Sequence, residues 1–454
     1  MGFTNKNERI DSSTSSILRV VLPLVLSAFS ENLMFLIDRL FLAYYSVDSM
    51  NAAMLGGHLA GLYTFALMSI AGMTEVFVGQ YNGENKFDKI ASPVWQMIYF
   101  VLFSLILVIP LGYFTEYLHL IPEYYAREGI PYQRILTYFC WVPALTAAFT
   151  GFFVGRGETK IITITVIVGT VVNVVMDRLF VFGYRDIIPA MGCNGAAIGT
   201  VISEIVQIII LAIRFFWKKN RMAYNTVKNC KFDKDLFLKC LRVGGPMSFG
   251  RCLEMLAWYL VNVVMSKVSS NLATMQAIAG TVYVMFTFVC DGLTKGSAAL
   301  SSNFIGQRNI AAVRQTFRKL TIMTLVLCFV VIFPLLMFPN PIFRLMDTLH
   351  EDISNLYGPM SMVFKVMFVG IVADTLGAIS CGILMSGGDT KFPIIASSSS
   401  IWLVLVAPVL ILFYIGKLQS AVVVELFATI GLILYAILVY LRYRKLGWLK
   451  SLTS

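Results

Sequence analysis

The sequence predicts an all-α polytopic membrane protein, with twelve transmembrane helices in two six-helix lobes related by a parallel internal repeat. Three observations carry this prediction. The 454 residues are 58% hydrophobic and only 13% charged, whereas a soluble domain carries about 25% charged residues. Mean hydropathy is +0.77, and the apolar residues fall in runs long enough to cross a bilayer, not in the short alternating segments of a β-barrel. Short motifs of the first half also return, in order, in the second.

The polar start, MGFTNKNERIDSSTSS, precedes a full-length apolar run, which reads as a first span and not as a cleaved signal peptide. Six spans are expected at about 17–43, 51–78, 94–115, 132–155, 160–183 and 194–217. Six more are expected at about 243–266, 272–302, 320–339, 357–386, 392–415 and 420–441. The longest and most charged connection, 218–242, separates an N-terminal lobe (1–217) from a C-terminal lobe (243–454). Lys and Arg are unevenly spread: 25 lie at the termini and in the even-numbered connections, and 6 lie in the odd-numbered ones. By the positive-inside rule both termini are cytoplasmic, in a multi-pass protein of the cell membrane. The same bias explains the net charge of +11 without a nucleic-acid partner.

The repeat appears in three motif pairs. LPL (22–24) matches GPM (245–247), VGQ (78–80) matches IGQ (305–307), and GRGETK (155–160) matches SGGDTK (386–391). An even number of spans per half makes both halves enter the membrane in the same direction. Parallel repeats of this kind are related by an axis along the membrane normal, with a substrate path between them.

Candidate residues are polar groups inside apolar runs. A carboxylate at the bilayer centre costs roughly 2.5–3.5 kcal/mol on insertion scales, so each one invites a functional reading. Asn173 and Asp177 lie four apart in the fifth span and share one helix face. Asp38 lies in the first span. Arg39 beside it is a poor partner, because successive helical residues do not face each other. Glu254 and Asp374 sit mid-span in the seventh and tenth helices, where Arg251 and Lys365 are their bland structural partners. Asp291 and Lys295, four apart in the eighth span, can pair. Glu31, Glu75, Glu204 and Glu425 are further intramembrane acids, and Gln276 is a possible substrate contact. Glu31 takes the place of Glu254 when Pro23 is set against Pro246. Most aromatic and Met side chains are expected to face lipid. The eight cysteines show no metal-binding spacing, and neither zinc, disulfides nor a resident cofactor is expected. GRGETK and SGGDTK are expected to be short turns whose Arg and Lys anchor the inner face.

The ordered set LPLVL…IDRLFLA, VGQ, GRGETK, NVVMDRLFVFG, MGCNGAAIGTVIS and SGGDTK resembles the multidrug and toxic compound extrusion (MATE) family over nearly the whole chain. The resemblance implies a non-enzymatic secondary transporter, monomeric among membrane lipids. It would export organic, mostly cationic small molecules in exchange for Na⁺ or H⁺ by alternating access. No GxxxxGK[ST] motif is present, which agrees with the family's lack of an ATP-binding domain. The resemblance also implies a cation site at Asp38, Asn173, Asp177 and Thr200. Two carboxylates, an amide carbonyl and a hydroxyl are hard donors that can replace the hydration of Na⁺, and the acids could carry protons instead. Glu254 and Asp374 resemble the coupling or substrate acids of the NorM-like branch, with Glu31, Glu204, Gln276 and Asp291 as secondary candidates. A lipid-linked oligosaccharide flippase or polysaccharide exporter of a related fold is the alternative; it would need a lipid groove and contacts to a phosphate–sugar head. A membrane enzyme would need a His, Asp or Ser cluster near one interface, and the chain has three histidines.

Overall fold

The computed structural model describes residues 10–117, 121, 123–185, 187–347, 354–445, 447–449 and 451–453. In chain order the helices are α1 (Thr14–Tyr45), α2 (Val47–Ala71), α3 (Thr74–Gly83), α4 (Ser92–Tyr117), α5 (Glu123–Tyr138), α6 (Trp141–Gly155), α7 (Lys160–Phe182), α8 (Cys193–Phe216) and α9 (Lys218–Tyr224). The second half contributes α10 (Lys234–Val268), α11 (Ser270–Gly306), α12 (Ile310–Leu327), α13 (Phe333–Met337), α14 (Asn340–Asp347), α15 (Tyr357–Ser386), α16 (Lys391–Ser400), α17 (Ala407–Tyr414) and α18 (Ala421–Arg444). α2 with α3, α5 with α6, α12 with α13, and α16 with α17 each make one span. This gives twelve spans in two six-helix halves.

Eleven of the spans are long and apolar enough to cross a membrane among the described residues. α10 is the twelfth. It has 35 residues, and Arg251 and Glu254 interrupt its apolar run. Two boundaries differ from the sequence reading. α10 begins at Lys234, inside the stretch read as a connection, because Asp233 caps it by accepting from the N–H groups of Asp235 and Leu236. The fourth span starts at Glu123, where Arg127, Glu128 and Arg134 lower the hydropathy that marks a span.

The broken spans have local causes. Proline cannot donate to the carbonyl four residues before it. Pro334 and Pro408 accordingly follow π-helical turns at Cys328–Ile332 and Ile401–Val406, where the ladder widens to accommodate the lost bond. Pro23 lies inside α1, which stays α-helical around it. The carbonyl of Arg19 that it leaves unpaired accepts from Thr159 Oγ1 at 3.1 Å.

The repeat is visible in this detail. Thr390, the counterpart of Thr159, donates to the carbonyl of Val243, near Pro246, at 2.7 Å. The glycines of the two turns, Gly157 and Gly388, have φ of 76° and 78°, a left-handed conformation that favours glycine. Of the basic side chains in these turns, Arg156 does not anchor the inner face, whereas Lys160 and Lys391 are exposed. Arg156 is buried, with its guanidinium 3.9 Å from the Phe152 ring centre and 4.3 Å from that of Tyr224. It donates to Glu158 at 2.9 Å and to the Phe152 carbonyl at 3.1 Å. In the second half Asp389 takes the place of Glu158 and accepts from Arg442 at 2.7 Å.

The halves meet chiefly where α1 packs on α11, α3 on α11 and α2 on α10. At the end that carries both termini, α3 and α11 come nearly backbone to backbone. A Cβ at Gly83 would overlap the Asn303 backbone, and one at Gly306 would overlap the Gln80 carbonyl. Asn82 Nδ2 donates to Asn303 Oδ1 at 2.7 Å, and Asn303 Nδ2 donates to the Gly155 carbonyl at the same distance. Gly83→Val is expected to force this seam apart and to lower stability by about 1–3 kcal/mol, the usual cost of overpacking. The check is a melting curve in detergent, and a Tm equal to the parent's would show that the seam yields freely.

Candidate cation site

The first half builds a polar cluster from three helices. α7 is pinned to α1 by a ladder of hydroxyls. Thr163 donates to the Pro23 carbonyl at 2.7 Å, Ser27 to Thr163 at 3.2 Å, and the Ser30 and Thr170 hydroxyls lie 2.9 Å apart. One and two turns further along α7 come Asn173 and Asp177, both fully buried. Asp38 of α1 faces Asp177, Asn173 and Thr200. Four residues picked from the sequence thus converge on one place.

α8 closes the third side. Gly195 and Gly199, spaced G-x-x-x-G, let it approach α7 closely. A Cβ at Gly195 would strike the backbone of Phe180, and one at Gly199 would overlap Asp177 Oδ1. Thr200 Oγ1 donates to the Ala196 carbonyl at 3.0 Å and leaves its lone pairs available. Tyr132 of α5 stands beside both acids. Neither Gly199 nor Tyr132 is marked by charge. The glycine spacing was the one available signal, and Tyr132 had none.

Asp38 Oδ1, both carboxylate oxygens of Asp177 and both amide atoms of Asn173 are buried without a hydrogen-bond partner. Unpaired buried polar atoms are rare and costly in folded proteins. No Lys or Arg among the described residues forms an ion pair with either acid. The neighbouring Arg178 instead lies 5.1 Å from the ring centre of Phe182. Two facing carboxylates in a low-dielectric site repel each other unless a cation or a proton lies between them. This donor set of carboxylate, carbonyl and hydroxyl oxygens fits both.

The second half is organised differently. Asp374 Oδ2 accepts from Tyr283 at 2.8 Å and from the Cys290 thiol at 3.3 Å. Glu254 accepts from Arg251 at 3.0 Å, the i,i+3 pair. Asp291 also pairs with Arg251, at 3.7 Å, in place of the pairing with Lys295 that its spacing allowed. Arg251 is therefore shared by two of the three acids. Lys295 lies in the electrostatic field of Glu31, Asp291 and Glu75, and Glu204 lies in that of Glu31. These residues lie outside the Asp38–Asp177 cluster. Gln276 is buried on α11, and Glu425 lies near the start of α18.

Comparison with known proteins fits this architecture of two halves. The MatE family model matches residues 23–179 and again 246–412, once in each half. The chain is 26% identical over 360 residues to the "Probable multidrug resistance protein YoeA" of Bacillus subtilis, covering 78% of this chain and 76% of that one. It is 22% identical over 413 residues to the "Probable multidrug resistance protein NorM" of Thermotoga maritima, covering 87% and 86%. A solved structure described as MATE in complex with MaL6 superposes with a TM-score of 0.87 over 98% of each chain, at 17% identity. With two copies of the family model spread over most of the sequence, on twelve spans in two halves, the chain belongs to the MatE family, the multidrug and toxic compound extrusion transporters.

Proposed function

We propose that this chain exports organic cations across the cell membrane in exchange for Na⁺ or H⁺, and that the exchanged ion binds at Asp38, Asn173, Asp177 and Thr200. One observation carries the reading. Four oxygen atoms of Asp38, Asn173 and Asp177 are buried together without partners. A site for an ion that comes and goes needs donors that the protein does not already satisfy. The names of the curated relatives, multidrug resistance proteins, support small-molecule cargo.

In this reading the first half (1–217) and the second half, which begins with α10 at Lys234, rock against each other about the connection between them, with both termini in the cytoplasm. An ion shifts such an equilibrium only by its differential affinity for the two states. Asp177 is well placed to provide that difference, because the close approach of α8 at Gly199 makes its surroundings sensitive to helix movement. Glu254, Asp291 and Arg251 would present a charge-compensated surface, and Asp374 a single acid held by Tyr283 and Cys290, to an organic cation in the path between the halves.

The test is efflux of ethidium from proteoliposomes of the purified chain, with a Na⁺ gradient and a pH gradient imposed separately. One gradient is expected to drive efflux at least tenfold above empty vesicles, and that gradient identifies the ion. Folded protein that moves no ethidium under either gradient would overturn the reading and direct attention to lipid-linked cargo.

A further inference from the structure

Both ends of the chain cross from one half to the other, and they do so in matching ways. Near the N-terminus, Ile10 Cδ1 lies 2.9 Å from where a Cβ on Gly157 would stand. The Ile10 carbonyl accepts from Gln307 Nε2 at 3.3 Å. Near the C-terminus, Leu452 Cδ2 lies 2.7 Å from where a Cβ on Gly388 would stand. The Leu452 N–H donates to Gln80 Oε1 at 2.7 Å.

The four receiving residues are repeat mates. Gly157 and Gly388 are the left-handed glycines of GRGETK and SGGDTK, and Gln80 and Gln307 end VGQ and IGQ. Each terminal segment rests an aliphatic side chain on the glycine turn of its own half. Each also bonds, through its backbone, to the glutamine of the opposite half. Gln80 is fully buried, and its Nε2 donates to the Ser386 carbonyl at 2.8 Å.

Further contacts hold each strap. Ser12 donates to Gln315 at 2.6 Å, and Lys319 Nζ donates to the Ser12 carbonyl at 2.6 Å. At the other end Ser451 and Thr453 donate to Glu84. Trp448, almost fully buried, packs against Gly387, and its indole N–H donates to the Tyr443 carbonyl at 2.8 Å.

We propose that Gly157 with Gln307, and Gly388 with Gln80, are a pair of repeat-related docking sites for the chain's own terminal segments, which latch the two halves together at the end where both termini lie. A glycine turn without a Cβ gives room for one aliphatic side chain, and a glutamine amide can either donate to or accept from an extended backbone. The same fitting therefore takes a carbonyl from one terminus and an N–H from the other. Each strap's contacts are split between the halves, so they exist together only while the halves are closed at this end. They stabilise that state and no other. The role in transport rests on the antiport reading above, in which this end must open once per cycle and both straps must release.

The experiment measures the distance between the halves directly. Spin labels are placed at Lys89→Cys and Arg314→Cys, both exposed and in opposite halves near this end. The thiols that are not buried, Cys230, Cys252 and Cys290, are changed to Ser. The 454-residue chain in nanodiscs is expected to give one predominant short distance. Leu452→Asp or Ile10→Asp is expected to raise a longer-distance population several-fold, and the double variant further, while Leu452→Met stays like the parent. Unchanged distance distributions in both Asp variants and their combination would overturn the proposal. Should Leu452→Asp fail to fold, Gln307→Ala decides the same question with both termini intact. The readout does not depend on export. A strap effect without ethidium efflux would sink the antiport reading alone, and efflux with no strap effect would sink this inference alone.

Discussion

Asp177→Asn is expected to reduce gradient-driven efflux to the background of empty vesicles while the protein still inserts and folds. Asp177 is fully buried on α7, and both of its oxygens lack partners. Asparagine has nearly the same shape but can neither hold a charge nor take up a proton, so under the proposed exchange it removes the ion's reason to prefer one state. To move an equilibrium from 1:99 to 99:1 a ligand must supply about 5.5 kcal/mol of differential binding. A neutral amide beside a single remaining carboxylate falls well short of that. Insertion should improve, because a charged side chain at the bilayer centre costs roughly 2.5–3.5 kcal/mol on insertion scales. The expected signature is therefore a Tm equal to or above the parent's, with export lost. Asp38→Asn is expected to act in the same direction. Export at the parent rate from folded Asp177→Asn would refute the assignment of the site.

The centre of this site was legible because it breaks a rule in a regular background. An acid and an amide four residues apart in an apolar run stand out, and helix geometry puts them on one face without further information. The twelve spans were legible for a similar reason, since hydropathy records the bilayer directly. Where charge and span coincide, that record weakens. Arg251 and Glu254 lower the hydropathy of α10, and Arg127 and Glu128 hide the start of the fourth span. The partners of the second-half acids were not legible either. Spacing allowed Asp291 to pair with Lys295 on the same helix, but the packing of α10 on α11 brings Arg251 to it instead. Arg156 looked like an interfacial anchor and is buried against Phe152 and Tyr224, because tertiary contacts decide where a long side chain lies. Tyr132 is one of 20 tyrosines, and nothing in its neighbours in sequence shows that it would stand beside Asp38 and Asp177.

Gly199 shows how a residue without chemistry of its own can set that of a site. A methyl group there would overlap Asp177 Oδ1, so Gly199→Ala must either turn the carboxylate away from Asp38 or push α8 off α7. Both responses leave every ionisable group in place and spoil the geometry that brings them together. Efflux is expected to fall below a tenth of the parent's, with a loss of about 1–3 kcal/mol in stability from overpacking. A general packing defect would give the same stability loss, so the contact has to be isolated. In an Asp177→Ala background the obstructing oxygen is gone, and the nearest remaining atom is the backbone nitrogen of residue 177, at 3.2 Å. Residues in contact show coupling in a double-mutant cycle, and independent sites add. Melting temperatures of the parent, Gly199→Ala, Asp177→Ala and the double variant are therefore expected to show most of the cost of Gly199→Ala where Asp177 is present. If the cost is the same in both backgrounds, α8 is sensitive at Gly199 for reasons unrelated to the carboxylate, and the close approach of the two helices does not shape the proposed ion site.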